Sequence, residues 1–351
     1  MAAEAIDIED FPALITYLRE TGRIGASEQP TLTNLVGGVS NRTVLLRREN
    51  GEVWVIKQAL AKLRVAVEWF SDPIRIEREA DGMTALTTLT PPRAVPRLIF
   101  LDRQRHLLAM EAVPQPHDNF KSLLMTGKVE PDHFQQFGTL LGMIHRGGWI
   151  GRAEFSRRFS DRQFFESLRL EPYYVYAADQ SAAPVAAEFL GDLVAQTRGT
   201  ANTIVHGDFS PKNILIHAGK LILLDHEVIH FGDGAFDVGF SFAHLLSKGH
   251  HLPRSRAALA DAAIIYWNAY IQALGDVPWR SDLPERSVRH ALGCLLARCI
   301  GRSPLEYLGP IERQRQTRVV VKLMQHPPGT PSALVGEFLK AIEEEETHAR
   351  D

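Results

Sequence analysis

The chain has 351 residues, of which 45% are hydrophobic, and its formal net charge is -3. This length suggests about two domains, and the small net charge excludes the broad basic surface expected of a protein whose main partner is nucleic acid. The two cysteines, Cys294 and Cys299, are too few for a disulfide framework. The N-terminus lacks a basic, apolar export signal, and no apolar stretch reaches the roughly 18 residues that span a bilayer. We therefore expect a cytoplasmic protein with no membrane partner.

The first third of the chain predicts a small sheet with one helix packed on it. A helix over residues 10–21 carries on one face the apolar side chains Phe11, Leu14, Ile15 and Leu18. Aliphatic runs separated by glycine and asparagine turns then predict three strands, at 32–36, 42–47 and 53–58. A helix at 73–89 and a further pair of strands, at 98–101 and 107–110, are predicted after them.

The remainder of the chain is largely helical by its apolar periodicity. Pro114 and Pro116 form a candidate linker, which divides the chain into an N-terminal lobe with a leading helix, residues 1–113, and a C-terminal lobe, residues 114–351. Long helices are predicted at 134–145, 161–168, 185–197, 257–274 and 288–300. The glutamate run at 343–346 predicts a solvated helix end.

The most informative motif is His206-Gly-Asp-Phe-Ser-Pro-Lys-Asn213, with Asp225 twelve residues later. Aliphatic runs before and after it predict a strand, a loop, a hairpin and a second loop. An acid, an amide and a second acid at this spacing suit phosphoryl transfer, in which the protein orients a hydroxyl and supplies oxygen ligands for Mg²⁺. We therefore predict Asp208 as the catalytic carboxylate and Asn213 with Asp225 as metal ligands.

This motif resembles the catalytic core of the aminoglycoside phosphotransferase and choline kinase superfamily, small-molecule relatives of protein kinases. Within that superfamily, five further segments are most similar to methylthioribose kinases, namely Val55-Ile-Lys-Gln-Ala-Leu60, Asp72-Pro-Ile-Arg-Ile-Glu-Arg-Glu79, Leu170-Glu-Pro-Tyr173, Asp225-His-Glu227 and Arg298-Cys-Ile-Gly301. The resemblance spans most of the chain. It implies an α+β, two-lobed protein-kinase-like fold, with a small N-terminal lobe of antiparallel sheet and one helix that binds the nucleotide, and a larger, mainly helical C-terminal lobe for catalysis and substrate.

The chain departs from the methylthioribose kinase pattern in two places. That family carries a loop like Gly-Asp-Leu-His-Thr-Gly-Ser, whereas this chain keeps Asn213. A pair of arginines is expected near the C-terminal substrate helix, and here Ala297 precedes the single Arg298.

The resemblance implies a phosphate-binding lysine in the N-terminal lobe. Lys57 ends a predicted strand where kinase-like folds present a lysine to the α- and β-phosphates, paired with a glutamate of the following helix. Glu77 and Glu79 are the candidates, and their spacing prevents both from facing the lysine. Glu79 matches the family pattern better, because Ala80 and Leu86 follow it at the expected positions.

Two further nucleotide contacts are predicted in the same lobe. Backbone N–H groups of a tight glycine turn can approach phosphate oxygens, so a phosphate-covering role falls to the turn with Gly37, Gly38, Ser40 and Asn41. By the resemblance, backbone groups of Glu111 and Val113 would bind the adenine.

Two other side chains have alternative roles, and two more are predicted to support the catalytic loop. Glu227 matches a second acidic metal position and could instead contact the substrate. Arg298 is either a substrate ligand or a cap for the C-terminal end of its helix. Asp237 and His206 are predicted to brace the catalytic loop through hydrogen bonds.

These observations predict a small-molecule kinase that uses ATP and Mg²⁺ to phosphorylate a hydroxyl. The acceptor is predicted to be a sugar-type metabolite, with methylthioribose first, and the alternatives are an aminoglycoside or a choline-like amino alcohol. A polycationic acceptor needs an acidic pocket. The C-terminal lobe instead offers tyrosines at 173, 174 and 176 and five arginines, at 298, 302, 313, 315 and 318, which disfavours such an acceptor. An ATP-binding regulatory protein without turnover is the alternative from another class. A homodimer is left open.

Overall fold

The computed structural model describes residues 6–35, 38–64 and 68–348. Its N-terminal part is built on an antiparallel sheet of β1 (Thr31–Asn34), β2 (Asn41–Arg47), β3 (Val53–Ala59), β4 (Leu98–Asp102) and β5 (Leu107–Glu111). The strand order is β1-β2-β3-β5-β4. Every predicted strand of this region is present, with bounds shifted by one or two residues.

Helices cover both faces of this sheet. Helix α1 (Phe11–Glu20) starts at Asp10, whose side chain accepts a hydrogen bond from the N–H of Ala13 at 3.1 Å. It forms a small core with alternate side chains of the strands, namely Val44, Leu46, Trp54, Ile56, Leu107 and Ala109. Helix α2 (Arg75–Leu89) packs on the opposite face, where Leu108 and Met110 join the main core. The strand β5 is therefore buried on both sides, which explains its continuous apolar run.

The second part of the chain is mainly helical and encloses one large core. Its helices are α3 (Phe120–Met125), α4 (Pro131–Ile150), α5 (Arg152–Arg158), α6 (Gln163–Phe165), α7 (Tyr176–Gln180), α8 (Pro184–Gly199), α9 (Ala235–His251), α10 (Arg256–Leu274), α11 (Leu283–Ile300), α12 (Pro310–Gln325) and α13 (Pro331–His348). A π-helical segment, Glu166–Val175, joins α6 to α7. The five long helices predicted here are all present, although their bounds differ.

Helices α3, α5, α9 and α12 were not predicted, and of α13 only the end at 343–346 was predicted. Residues 235–250 of α9 are all buried, and they include the polar side chains of Asp237, His244 and Lys248, so burial in this helix does not follow polarity. The predicted helix at 161–168 was too short, because helical backbone continues to Gln180 through π-helical turns that contain Pro172. The solvated helix end predicted at 343–346 is only partly correct, since Glu346 forms an ion pair with Arg256 at 2.8 Å.

Two small sheets frame the predicted catalytic loop. Strands β7 (Thr203–Val205) and β10 (His230–Gly232) form one, and β6 (His117–Asn119), β8 (Ile214–His217) and β9 (Lys220–Leu223) form the other. The architecture confirms the predicted α+β class, with an antiparallel sheet first and helices after it. The lobe limits at 1–113 and 114–351 remain predictions. Within the described ranges, no helix is both long and apolar enough to cross a membrane.

Candidate active site

The motif at 206–213 forms a loop between β7 and β8 that is held from behind by Asp237 of α9. The Asp237 carboxylate accepts hydrogen bonds from the N–H groups of His206, at 2.6 Å, and Gly207, at 2.8 Å. Gly207 has a positive φ of 77°, and a Cβ there would lie 2.8 Å from the side chain of Val228. The bracing role predicted for Asp237 is confirmed by these two bonds.

His206 also supports the loop rather than facing outward. It is fully buried, and its Nδ1 accepts a hydrogen bond from the N–H of Asp208 at 3.2 Å. Its Nε2 therefore carries the proton and donates to Nδ1 of His226, 3.2 Å away. Burial lowers the pKa of His206, which favours this neutral form.

Asp208 is held by an amide and a guanidinium. Asn213 Nδ2 donates to Asp208 Oδ2 at 2.7 Å and to the Asp208 carbonyl at 3.0 Å. Arg169, from the π-helical segment, places Nη2 2.9 Å from the same Oδ2. Because Asn213 uses its nitrogen for both bonds, its Oδ1 is directed to the other side of the amide and stays available as a hard oxygen ligand.

Asp225 lies beside this loop on the turn after β9. The N–H of Leu224 donates to the carbonyl of Asn213 at 2.9 Å, which ties the two loops together. Asp225 has a positive φ of 65°, an uncommon conformation for a non-glycine residue that is often found at functional sites. Burial acts to raise its pKa, but the positive charge of Lys57 and other nearby cations lowers it to about 2. The carboxylate is therefore ionised at neutral pH.

Lys57 projects from β3 toward Asp225 and is paired with Glu79 of α2. Its Nζ lies 2.5 Å from Glu79 Oε1 and 3.7 Å from Asp225 Oδ1. Burial alone would lower the Lys57 pKa, but the charges of Glu79 and Asp225 outweigh burial and raise it. Glu77 instead faces outward and binds Arg103 at 2.8 Å. Of the two glutamates considered, the structure thus brings Glu79 to the lysine.

Glu227 is joined to the N-terminal sheet through Arg75. Glu227 Oε2 lies 3.0 Å from Arg75 Nε and accepts a hydrogen bond from Asn41 Nδ2 at 3.4 Å. Arg75 is fully buried, and its other nitrogens donate to backbone carbonyls that include those of Ser40 and Leu60. The pair therefore links the loop that carries Glu227 to the start of β2.

The predicted phosphate-covering turn is described only in part. Gly37 lies outside the described residues. Gly38 is exposed, and a Cβ there would meet one neighbour, the carbonyl of Asn41, at 3.7 Å, so this glycine is not required by crowding. The side chains of Ser40 and Asn41 are buried and bond to each other at 3.1 Å.

The predicted adenine-binding segment ends β5. The Glu111 side chain is exposed and forms an ion pair with Arg97 at 2.6 Å. The N–H of Glu111 donates to the carbonyl of Arg97, and that of Ala112 donates to Val53, each at 2.9 Å. Val113 follows directly, where the chain leaves the sheet.

Arg298 is buried near the end of α11. Its Nη1 donates to the carbonyl of Ser303 at 2.8 Å, so among the described contacts it binds the following loop and not the last carbonyls of its own helix. Its guanidinium carbon lies 4.8 Å from the ring centre of Tyr173 and 5.4 Å from that of Phe240. Arg298 nevertheless lies in the last turn of α11, so the substrate and helix-cap roles both remain predictions.

Arg169 and Arg75 were missed as site residues by the sequence analysis. Each lies in or directly before a segment singled out for its resemblance, at 72–79 and 170–173. An arginine in a helical segment has no distinguishing sequence pattern, and its carboxylate partner is far away along the chain. The pairs with Asp208 and Glu227 span 39 and 152 residues.

Comparison with known proteins agrees with this arrangement. The profile of the phosphotransferase enzyme family matches residues 31–274. Methylthioribose kinases of Bacillus velezensis and Geobacillus kaustophilus are 26% and 24% identical, over regions that cover 70% and 79% of this chain and 67% and 80% of the relatives.

Solved structures confirm the fold. An ethanolamine kinase of Plasmodium vivax superposes with a TM-score of 0.55 at 9% identity, covering 91% of this chain and 90% of that one. An amicoumacin kinase in complex with AMP-PNP and Ca²⁺ gives a TM-score of 0.52 at 15% identity, covering 86% and 90%.

The sheet, the braced loop with Asp208 and the adjoining Asp225 and Lys57 define a small-molecule phosphotransferase with a protein-kinase-like fold, which acts on a hydroxyl group. The chain belongs to the phosphotransferase enzyme family, whose profile covers more than half of its length.

Proposed function

We propose that this protein transfers the γ-phosphoryl group of ATP, with Mg²⁺, to a hydroxyl of a sugar-type metabolite, and that methylthioribose is the first acceptor to test. The observation that carries the proposal is the position of Asp208, which is held by Asn213 and Arg169 beside the loop of Asp225. Curated relatives named methylthioribose kinase support the acceptor class.

Asp208 is proposed as the residue that orients the acceptor hydroxyl and accepts its proton. A base contributes only when it is fixed within hydrogen-bonding reach of that proton. The bonds from Asn213 at 2.7 Å and Arg169 at 2.9 Å both reach Oδ2, so they fix the carboxylate and leave Oδ1 for the hydroxyl.

The residues present fit a divalent cation. Asp225 Oδ1 is a buried oxygen with no hydrogen-bond partner in the described part of the chain, and Asn213 offers its Oδ1. Mg²⁺ would supply neutralisation of the phosphate charge, and it binds proteins through one or two oxygens plus substrate phosphates and waters. The described residues contain no group of three or more His, Cys, Asp or Glu side chains spaced to hold a metal. Glu227 remains a third candidate, as a ligand of metal or of substrate, through its Oε1.

The remaining nucleotide contacts follow from the same geometry. Lys57, held by Glu79, is proposed to bind the α- and β-phosphates, and the turn at 37–41 to cover them. Backbone groups of Glu111 and Val113 are proposed to bind the adenine. An amicoumacin kinase with this fold was solved with AMP-PNP.

An aminoglycoside or choline-like acceptor is the second candidate, and a silent ATP-binding protein is the third. A polycationic acceptor needs carboxylates in its pocket. Arg298 instead places a positive charge against the rings of Tyr173 and Phe240. The lobe limits, a homodimer and the cytoplasmic location also remain predictions.

The test is ATP consumption with a panel of sugars including methylthioribose, nucleosides, amino alcohols and aminoglycosides. We expect turnover with a sugar-type acceptor, and Asp208→Asn should lower it by about 10² to 10⁴ while nucleotide binding persists, because a positioned base is lost. Turnover with aminoglycosides alone would select the second candidate. A variant with unchanged turnover would remove Asp208 from the mechanism.

A further inference from the structure

Lys248 is a buried cation that the proposed reaction has not used. It lies on α9, its side chain is fully buried, and its Nζ donates to the carbonyl of His244, one turn earlier, at 3.2 Å. Within the described ranges no carboxylate lies within ion-pair distance of this Nζ. Burying an unpaired ammonium group is costly, so the charged form of Lys248 needs a counter-charge that the described residues do not supply within ion-pair distance.

The charges around Lys248 are mostly of its own sign. Burial and the neighbouring cations Lys121 and Arg298 lower the Lys248 pKa to about 7, and Glu306 acts in the opposite direction. The carboxylate of Glu306 already forms an ion pair with Lys121. His244 adds no charge, because burial and the surrounding cations hold its pKa well below the usual value. The cations that act on His244 are Arg298, Lys248, Lys121 and Lys212, and we call these four residues the cationic cluster.

Two buried polar atoms beside the cluster lack partners. Nε of Arg298 and the hydroxyl of Tyr307 have no hydrogen-bond partner in the described part of the chain. The Tyr307 ring centre lies 5.4 Å from Lys248 Nζ and 5.9 Å from Lys121 Nζ. Unpartnered buried donors next to Lys248 and Arg298, which have no carboxylate partner among the described residues, are the features expected where an anion binds.

The cluster adjoins the reaction centre. Lys212 immediately precedes Asn213, and its carbonyl accepts a hydrogen bond from Asn119, which caps the helix that carries Lys121, at 2.7 Å. The Tyr173 ring is close to two guanidinium groups. Arg298 is 4.8 Å from the ring centre, and Arg169, which binds Asp208, is 5.9 Å from it.

We propose that the acceptor carries an anionic group, a carboxylate or a phosphate, which binds to the cationic cluster while a hydroxyl of the same molecule reaches Asp208. This inference rests on the proposed function and refines its acceptor from a neutral sugar to an acidic one. An incoming anion supplies the counter-charge that Lys248 and Arg298 lack, and it competes with Glu306 for Lys121. The segment 301–309, which carries Glu306 and Tyr307, has to shift for Lys248 to be reached, because Lys248 is fully buried.

The test is calorimetric binding in the presence of AMP-PNP and Mg²⁺, with D-gluconate, D-ribose 5-phosphate and neutral D-ribose as probes. We expect at least one anionic probe to bind at least about tenfold more tightly than D-ribose. Lys248→Met should abolish that difference and leave the melting temperature unchanged or higher, because it removes a buried charge and keeps the side-chain volume. Lys322→Met, at an exposed position of α12, is the matched control and should keep the difference.

Each outcome decides the proposal. A preference for gluconate assigns a carboxylate, and a preference for ribose 5-phosphate assigns a phosphate. Equal binding of neutral and anionic probes, or a preference that survives in both Lys248→Met and Lys121→Met, overturns it. Lys121 is only partly buried, with 26% of its side chain exposed, so that variant tests the cluster even if Lys248→Met does not fold. Anion binding that depends on Lys248, without ATP consumption on any acceptor, would contradict the proposed function. It would leave the cluster as an anion site and remove the claim that the anion belongs to a phosphoryl acceptor.

Discussion

At the scale of single residues, the most consequential unpredicted contact is the ion pair of Arg75 and Glu227. Arg75 is fully buried and Glu227 is nearly so, with 7% of its side chain exposed. The guanidinium also donates to the carbonyls of Leu60, at 2.9 Å, and Ser40, so one side chain joins the segments of Ser40, Leu60 and Glu227. A pair of this kind specifies position more than it adds stability, but removal of one partner leaves a buried charge uncompensated.

Replacement of Glu227 should therefore be costly even without metal or substrate. We expect Glu227→Ala to reduce the free energy of unfolding by about 3–5 kcal/mol, the usual loss when one member of a buried pair is removed. Urea denaturation in a metal-free buffer measures it. Adding Arg75→Met to this variant should recover part of the loss, because the unpaired charge is then gone. Strict additivity of the two changes would mean that they do not share this interaction.

At the scale of elements, the C-terminal part depends on the close approach of α4 and α10. Gly138 and Gly142 are four residues apart and so lie on the same face of α4, where α10 crosses it. A Cβ at Gly142 would lie 2.6 Å from the carbonyl oxygen of Tyr270. At Gly138 the added atom would be closer still to the backbone of Tyr266. The two glycines thus set the distance between α4 and α10. His145 of α4 bonds to the hydroxyl of Tyr270 of α10 at 2.9 Å and lies 3.3 Å from Asp237 of α9, which holds the loop at 206–213.

A methyl group at this contact should separate the helices. We expect Gly142→Ala to destabilise the protein by about 1–3 kcal/mol, the range for overpacking a well-filled core, seen as a lower melting temperature. Gly191→Ala on α8 is the control, because nothing lies within 4 Å of its added Cβ. It should stabilise by roughly 0.5–1 kcal/mol through the better helix propensity of alanine. Equal effects at both sites would show that the α4–α10 contact can widen freely.

At the scale of the whole molecule, the fold buries histidines in their neutral form. Burial lowers the pKa of His230 to about 4 and that of His250 to about 4, and burial with nearby cations holds the pKa of His244 well below its usual value. In the unfolded chain a histidine ionises near pH 6.5. Below that pH the unfolded chain binds protons that the folded protein does not, so acid favours unfolding.

Stability should consequently fall as the pH decreases from about 6.5 to about 4. Each histidine that stays neutral contributes a slope of roughly 1.4 kcal/mol per pH unit. Urea denaturation at several pH values between 7.5 and 4.5 measures the total. The variant His230→Gln, although less stable, should show a shallower slope. Asp233, whose pKa nearby cations lower to about 2 against the effect of burial, acts in the same direction, but only below about pH 4. A flat profile above pH 4.5 would mean that these histidines ionise within the folded protein.

The sequence by itself determined the features that local patterns encode. The α+β class, the strands at 31–59 and 98–111 and the framing of the loop at 206–213 follow from apolar periodicity and turn residues over short windows. The loop's acid, amide and second acid could be placed because their spacing along the chain is itself the signal. The resemblance to known kinases added Lys57 and Glu79, whose contact the structure shows.

Only the tertiary structure decided what depends on residues far apart in the chain. Helix α9 was not predicted, and its burial is set by the surrounding elements, because even its polar residues Asp237, His244 and Lys248 lie in the interior. Arg169 and Arg75 gain their meaning from carboxylates on other elements, and Arg298 from the loop and the aromatic rings around it. The cationic cluster likewise exists only in the folded protein. Its members Lys121, Lys212, Lys248 and Arg298 are far apart in the sequence, and electrostatic interaction depends on distance in space.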